Sequence, residues 1–283
     1  MINVGLIGCG NFGKNYIKTI ESLQDQCRLK IIGRKSPQPD ENYATTNNFH
    51  YFFSSDVRAC IVCVPAETHY SLCKLALERG LHCIVEKPFT LNYIQSLELN
   101  LLAKSKNLNL CINHIDLFNT GYRLVKNHIK QPTFLEYDIA GMVKRNDCNV
   151  VWDYLSHPIA VTLDIFGGFP EIVDLEGNDD YVGVKLKFGE AYARLNASRI
   201  KPNKLRCVDL WSENGHCYFD MISNEIWDNT SDEWKLLKYD KTLPLTVLLK
   251  EFCGAVEAKE VRFSADLACN VVKLLEEIDG RLK

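Results

Sequence analysis

Ile2-Asn3-Val4-Gly5-Leu6-Ile7-Gly8-Cys9-Gly10-Asn11-Phe12-Gly13 is the stretch whose reading decides the fold. Its first six residues form a nearly unbroken apolar run, the pattern of a parallel strand covered on both faces. The next six are G-x-G-x-x-G. From Lys14 to Leu23 the pattern turns helical, with Tyr16, Ile17, Ile20 and Leu23 on one side. Strand, glycine turn and helix in that order make a candidate dinucleotide-binding unit. Gly8 permits the tight turn, Gly10 lets the backbone approach a pyrophosphate, and Gly13 lets helix and strand pack closely. The helix start then offers unpaired N–H groups and partial positive charge to phosphates. Gly8, Cys9, Gly10, Asn11, Phe12 and Gly13 are therefore read as cofactor-binding, the plainer alternative being a glycine-rich turn.

A second strand is predicted over Arg28–Gly33. Where an NAD-preferring fold places Asp or Glu for the ribose hydroxyls, this chain has Gly33 followed by Arg34, Lys35 and Ser36. Two cations and a hydroxyl suit a 2′-phosphate. NADP is therefore favoured, NAD remains possible, and solvated turn residues are the plainer alternative. Ser36–Asn48 reads as a polar loop and His50–Phe53 as a short third strand. Ala59–Val64 reads as the fourth, ending at Pro65, with a helix from Thr68 and His69 to Gly80. The next strand, Cys83-Ile84-Val85, runs into Glu86-Lys87-Pro88. A helix over Leu91–Lys106 and a strand over Leu108–Asn113 follow. This alternation predicts a doubly wound parallel sheet, in which ligands bind beyond the carboxyl ends of strands. Glu86 and Lys87 lie at such an end, as chemistry-bearing residues or as a surface ion pair.

After about His114 the rhythm changes. A helix over Gly121–Ile129, a strand over Thr133–Ile139, a variable stretch over Met142–Asn149 and a helix from Trp152 to Phe166 lead into a strand-rich region. There β-branched and aromatic residues are broken by Gly, Asn and Asp, predicting an open, mostly antiparallel sheet. Helices over Leu245–Ala258 and Ala265–Ile278 come last. The expected domains are residues 1–115, a dinucleotide-binding Rossmann domain, and residues 116–283, an α/β substrate and oligomerisation domain. The C-terminal helix is allowed to pack back on the first. In Asp153-Tyr154-Leu155-Ser156-His157 a carboxylate and an imidazole stand at i and i+4 of a helix, facing one way. His157 is thus a candidate general base with Asp153 as its partner. A capping Asp and a core His are the plainer alternative. Asp164 falls nearly on the same stripe.

The 283 residues carry a net charge of −3, which gives no reason to expect nucleic acid or an anionic membrane as partner. No apolar run reaches about 18 residues, so no spanning helix is expected. The N-terminus reads directly as a strand, without the pattern of a signal peptide. The 12 cysteines are scattered within apolar runs, as free thiols are in a reducing compartment, and a cytoplasmic location is expected. Cys60 and Cys63 form a C-x-x-C on a strand, where residues three apart point to opposite faces. No metal is expected there or beside Asp153 and His157, which lack a second His or Cys nearby.

Taken together, the motifs make the chain similar to the glucose–fructose oxidoreductase / inositol dehydrogenase / MocA (Gfo/Idh/MocA) family. The likeness rests on Gly8–Gly13, Cys63-Val64-Pro65 with His69, Ala76-Leu77 with Gly80 and His82, and Glu86-Lys87-Pro88. Phe118-Asn119 with Tyr122 and the D-x-x-x-H of Asp153 and His157 complete it. The chain departs from the family pattern at Asn149-Val150-Val151-Trp152, where a glycine run is common, and at Leu117, where Arg is common.

The resemblance implies an NAD(P)-dependent oxidoreductase moving a hydride to or from a hydroxyl or keto carbon of a sugar, polyol or nucleotide sugar. It implies that Lys87 contacts the reacting oxygen and the cofactor, that His157 is the general acid/base, and that Asp153 supports the site. Val64, Pro65, His69 and Glu86 join the cofactor-binding set. A carbohydrate-like small molecule and a second copy of the chain, in a dimer or tetramer, are the implied partners. The short length and Arg34-Lys35 also resemble biliverdin reductases, and a non-catalytic NAD(P)-binding regulator is the alternative from another class.

Overall fold

A computed structural model of the chain describes residues 1–36, 42–54, 56–142, 148–231 and 233–283. Part of the polar loop before Asn48 and of the stretch read as variable before Asn149 lie outside the described residues. The chain divides into two compact units, Met1–Asn113 with Leu245–Val272, and His114–Pro244 with Lys273–Lys283.

The first unit runs β1 (Ile2–Ile7), α1 (Asn11–Glu21), β2 (Cys27–Gly33), β3 (Ala44–Thr46), α2 (Phe49–Ser54), β4 (Ala59–Val62), α3 (His69–Glu78), β5 (His82–Val85), α4 (Tyr93–Ser105) and β6 (Leu110–Ile112). Its six strands lie in the order β3-β2-β1-β4-β5-β6, and every neighbouring pair is parallel. The order reverses between β1 and β4, the switch point where an open α/β sheet leaves a crevice. All four residues of β4 are buried, as a central parallel strand with both faces covered requires.

The third strand is a correction. His50–Phe53 lies in the helix α2, and the strand beside β2 is Ala44–Thr46. The run of aromatics reads as strand by propensity, yet packing decides otherwise. Asn48 accepts a hydrogen bond from Tyr51 N at its side-chain oxygen (3.2 Å), starting the helix as an Asn cap does. Phe49 and Phe53, one turn apart, stack at 6.3 Å. Phe52, fully buried, fills the space left by two strand glycines. A Cβ on Gly5 would meet its ring at 2.5 Å and one on Gly33 at 3.3 Å. Truncating such a ring costs about 3–5 kcal/mol.

The second unit runs α5 (Thr120–His128), β7 (Phe134–Ala140), a π-helical turn (Val151–Leu155), α6 (Ser156–Phe166), β8 (Glu171–Gly177), β9 (Tyr181–Phe188), β10 (Ala191–Ser198), β11 (Leu205–Ser212), β12 (Gly215–Asp220), β13 (Glu225–Asp228) and β14 (Lys235–Leu237). The eight strands follow the order β14-β13-β12-β11-β7-β10-β9-β8. Only β7 and β10 pair in parallel; their neighbours pair antiparallel. On β10, Ala193, Leu195 and Ala197 are buried while Arg194 is exposed, the alternation of a sheet with one packed face. The expected uninterrupted helix from Trp152 is corrected to a π turn followed by α6, and that junction falls between Asp153 and His157.

Two helices follow, α7 (Pro244–Ala258) and α8 (Asp266–Leu282). Leu245–Val272 counts with the first unit, and polar contacts tie it there. Arg58 pairs with Glu257 (3.1 Å) and donates to Val256 O (2.8 Å). The Asn109 side chain accepts from Arg262 N and Phe263 N at 2.8 and 3.0 Å.

Candidate active site

At the carboxyl edge of the parallel sheet, backbone hydrogen bonds continue one residue past the strands. Gly8 N donates to Gly33 O, Cys63 N to Ile7 O, Glu86 N to Val62 O and Asn113 N to Val85 O, all at 2.8–2.9 Å. The glycine turn, the residues after β4, the Glu86-Lys87 pair and Asn113 are thereby fixed in one row.

The three glycines of the turn answer different demands. Gly8 has φ +96°, and a Cβ there would lie 2.0 Å from the Cys63 carbonyl oxygen. A Cβ on Gly13 would lie 2.4 Å from Gly8 O. Both glycines are required by the fold itself. Gly10 is extended, with φ −75° and ψ −164°, and a Cβ there would meet nothing within 4 Å. The protein's own atoms do not demand glycine at that position, which is what a close approach by a ligand leaves behind. The first turn of α1 holds no carboxylate and no capping side chain, so its N–H groups and partial positive charge face outward. Cys9 is half-buried, and Gly10, Asn11 and Phe12 are exposed. These features fit a dinucleotide pyrophosphate.

Beyond β2, Arg34 is half-buried with its N–H donating to Thr46 O (2.8 Å), while Lys35 and Ser36 are exposed. Val64 and Pro65 follow β4 at the switch point. His69 is placed differently from the expectation of a cofactor contact. It is 1% exposed, with Nδ1 2.8 Å from Pro88 O and Nε2 2.8 Å from Val64 O. Its ring nitrogens face main chain inside the protein, linking the segment after β4 to the one after β5. A concavity of about 560 Å³ lined by Met1, Glu21, Arg28 and Tyr43 lies by the opposite, amino ends of β1 and β2. Ligands of open α/β sheets do not bind at that edge.

Glu86 also turns inward. Its Oε1 accepts from Tyr16 Oη (2.8 Å) and Asn113 Nδ2 (2.6 Å), and Asn113 Nδ2 reaches Tyr16 Oη at 3.0 Å. Burial raises the Glu86 carboxyl above its ordinary range, against the opposing pull of Asn113, Tyr16 and Lys87. The same burial, with Glu86 beside it, raises the Tyr16 hydroxyl. Lys87, half-buried, follows directly, and the Lys87–Pro88 peptide is cis.

In the second unit, His157 Nδ1 lies 3.8 Å from Asp116 Oδ2, an electrostatic contact too long for a hydrogen bond. Asp116 accepts from Tyr137 Oη (2.7 Å) and pairs with Arg206 Nη2 (2.6 Å). Burial lowers the Arg206 guanidinium, but Asp116 and Tyr137 together outweigh it and the net direction is up. Burial and then Asp116 raise the Tyr137 hydroxyl. Asp153 is 5% exposed and is reached by Arg199 Nη2 at 3.2 Å. Arg199, 4% exposed, also donates to Asn149 O (2.9 Å). The carboxylate against the His157 ring nitrogen is thus Asp116, and Asp153 is engaged by Arg199. Asp164 is engaged elsewhere, by Tyr122 Oη (2.5 Å) and Lys126 (2.8 Å). Asn119 caps α5, accepting from Gly121 N (2.8 Å) and Tyr122 N (3.3 Å).

The sequence reading had missed Asp116, Tyr137, Arg199 and Arg206 as partners of the D-x-x-x-H pair, and Asn113 and the Tyr16 hydroxyl as partners of Glu86. Asn113 carried one usable signal, a polar residue at the carboxyl end of an apolar strand. The others carried none, because their partners lie tens of residues away in the chain.

Residues 2–114 match the model of an oxidoreductase family with an NAD-binding Rossmann fold, GFO_IDH_MocA. Residues 2–114 thus carry the NAD-binding Rossmann domain of the Gfo/Idh/MocA oxidoreductases. The chain is 27% identical over 246 residues to UDP-N-acetylglucosamine 3-dehydrogenase of Acidithiobacillus ferrooxidans, covering 80% of this chain and 76% of that one. A solved structure of that enzyme superposes with a TM-score of 0.88 at 20% identity, over 99% of this chain and 97% of the other. The 3-ketoreductase KijD10 of Actinomadura kijaniata, solved with NADP and TDP-benzene, gives a TM-score of 0.87 at 16% identity, over 100% and 98% of the two chains. The NADP-dependent scyllo-inositol 2-dehydrogenase IolW of Bacillus subtilis is 22% identical over 229 residues, 71% of this chain and 64% of its own. At these identities the structural likenesses speak for the fold. Among the described residues, no helix is long and apolar enough to cross a membrane.

Proposed function

We propose that the whole chain is a Gfo/Idh/MocA oxidoreductase that prefers NADP and acts on a hydroxyl- or keto-bearing carbon of a sugar, polyol or nucleotide sugar. The observation that carries the reading is the carboxyl edge of the parallel sheet, where one row of hydrogen bonds fixes Gly8 and Glu86, the first beginning the turn with open space at Gly10 and the second preceding the half-buried Lys87. The sugar-nucleotide and inositol substrates in the names of the relatives support the substrate class.

The nicotinamide, when bound, supplies or accepts the hydride. The residues of the chain do the rest. The turn Gly8–Gly13 and the start of α1 hold the pyrophosphate through N–H groups. Arg34, Lys35 and Ser36 receive the 2′-phosphate by charge and hydrogen bonding. A hydroxyl that loses a hydride also loses a proton. His157 accepts that proton in oxidation and returns it in reduction. The Lys87 ammonium stabilises the oxyanion that develops on the substrate. Glu86, fixed by Tyr16 and Asn113, holds charge behind Lys87. Asp116 acts on His157 as a positioning residue, and Asp153 supports the site from its pair with Arg199. The exposed apolar side chains Trp211, Trp227 and Leu236 on the second sheet, with Trp234 just before β14, support association with a second copy.

Lys87→Ala is expected to abolish turnover of the responsive sugar or nucleotide sugar while NADPH binding, read by fluorescence, stays within a few-fold. Near-normal turnover in that variant would overturn the catalytic reading. Bound NADPH that no carbonyl candidate oxidises in the wild type would favour a regulatory binding protein. Arg34→Asp is expected to weaken NADP binding and move preference toward NAD, and unchanged NADP affinity would refute the assignment of the 2′-phosphate site.

A further inference from the structure

We propose that His128 Nε2, Cys217 Sγ and Asp228 Oδ1 form a zinc site in the second unit, with water in the fourth position, clipping the end of α5 to the β12–β13 pair. None of the three belongs to the residues assigned to cofactor or substrate, and the proposal does not depend on the redox reading. Among the described residues this is the one group of three or more His, Cys, Asp or Glu whose ligand atoms all lie within 4.8 Å of one another.

The fold brings the ligands together from three elements. Cys217 and Asp228 are directly paired residues of the antiparallel strands β12 and β13. His128 is the last residue of α5. His128 Nε2 lies 3.2 Å from Asp228 Oδ1, and Cys217 Sγ lies 3.5 Å from the same oxygen. A tetrahedral zinc with Zn–N and Zn–O bonds of about 2.0 Å and a Zn–S bond of about 2.3 Å has edges of about 3.3 Å for N···O and about 3.5 Å for S···O. Two edges of the tetrahedron are therefore already in place. The third, N···S, closes by a small movement of the half-exposed His128 side chain. Cys217 is fully buried and Asp228 is 5% exposed, so two ligands are held by the sheet while the third faces the solvent from which an ion arrives.

The surrounding contacts suit a metal carboxylate. Thr230 Oγ1 donates to Asp228 Oδ2 (3.2 Å), fixing the oxygen that does not bind the ion. Thr230 N donates to Oδ1 (3.2 Å), and Thr230 Oγ1 lies 3.5 Å from His128 Nε2. Such outer contacts orient metal ligands. The charges also balance, since thiolate and carboxylate neutralise a divalent cation and imidazole adds none. On binding, the zinc–sulfur bond replaces the S–H bond and that proton leaves to solvent. The mixed nitrogen, sulfur and oxygen donor set favours zinc over magnesium or calcium, which take oxygen ligands.

The test uses the full chain, stripped with a chelator and titrated with Zn²⁺ alone and with Co²⁺ as the spectroscopic substitute. One equivalent should bind, raise the melting temperature, and in the cobalt form give tetrahedral d–d bands with a thiolate-to-cobalt charge-transfer band. Cys217→Ser should remove the charge-transfer band. His128→Gln, a change at a half-exposed position, should weaken binding by tenfold or more while leaving the metal-free melting temperature unchanged. Absence of stoichiometric binding and of cobalt bands in the wild-type chain would overturn the site, a result that needs no variant to fold. A charge-transfer band that persists in Cys217→Ser would also overturn it by placing the metal on another thiol.

Discussion

Gly10→Ala separates what the fold demands of the glycine turn from what a ligand demands. At Gly10 the backbone is in a region open to any residue, and the new methyl meets no protein atom within 4 Å. Two small terms act on stability. Ala is a poorer N-cap than Gly by up to about 1 kcal/mol. Against this, loss of glycine's freedom in the unfolded chain returns about 0.4–1 kcal/mol. They nearly cancel, so the melting temperature should move by no more than about 2 °C. On the proposed reading, the methyl stands where the pyrophosphate approaches. Pushing the pyrophosphate off the turn loses about one hydrogen bond to a charged group, roughly 1.5–3 kcal/mol, so NADPH affinity should fall between about tenfold and a hundredfold, about 1.4–2.8 kcal/mol.

Gly8→Ala is the control with the opposite outcome. There φ is +96° and the methyl would sit 2.0 Å from the Cys63 carbonyl oxygen. Backbone strain of about 1–3 kcal/mol adds to weakening of the Cys63 N to Ile7 O hydrogen bond, about 1 kcal/mol. That variant should lose several degrees or fail to accumulate. Fluorescence titration with NADPH and thermal melts of both variants give the comparison. Unchanged NADPH affinity in Gly10→Ala, with the fold intact, would refute the assignment of this turn to the cofactor.

Two further predictions concern buried charges. The folded Glu86 carboxyl is raised above its ordinary 4.5, so the folded state holds its proton longer than the unfolded one. Its contribution to stability is fully present below 4.5 and is lost as pH rises through the folded value. Glu86→Gln lacks that loss, so its melting temperature relative to wild type should climb between acidic and neutral pH; a constant or shrinking difference would count against the burial of this charge. Arg199→Met leaves Asp153 buried without its cation, and the unfolding free energy from denaturant titration should fall by about 3–5 kcal/mol. Asp153→Asn in the same chain should restore part of it. A loss below about 1 kcal/mol would show that Asp153 is solvated or otherwise paired.

Local rules were enough for the nucleotide-binding half. Strand, glycine turn and helix are neighbours in sequence, and the periodicities of Ile2–Ile7 and Lys14–Leu23 report burial that the fold then provides. The same holds for the strand ending at Glu86-Lys87-Pro88 and for the change of rhythm after His114. The reading failed at His50–Phe53, where aromatic propensity says strand. Only the gap left by Gly5 and Gly33, 47 and 19 residues upstream, says that Phe52 belongs to a helix lying over them. It also missed the π turn at Val151–Leu155, because a single widened turn leaves no periodic trace.

The sequence by itself determined that a G-x-G-x-x-G turn and a lysine stand at the ends of parallel strands, because chain order and hydrophobic period carry that information. Tertiary structure alone decided which partner each charge has. Glu86 meets Tyr16 and Asn113, His157 meets Asp116, and Asp153 meets Arg199. Cys217 pairs with Asp228 across two strands and meets His128 at the end of a helix. A buried polar group must be compensated wherever the fold brings a partner, and that partner is chosen by packing in space, not by spacing along the chain.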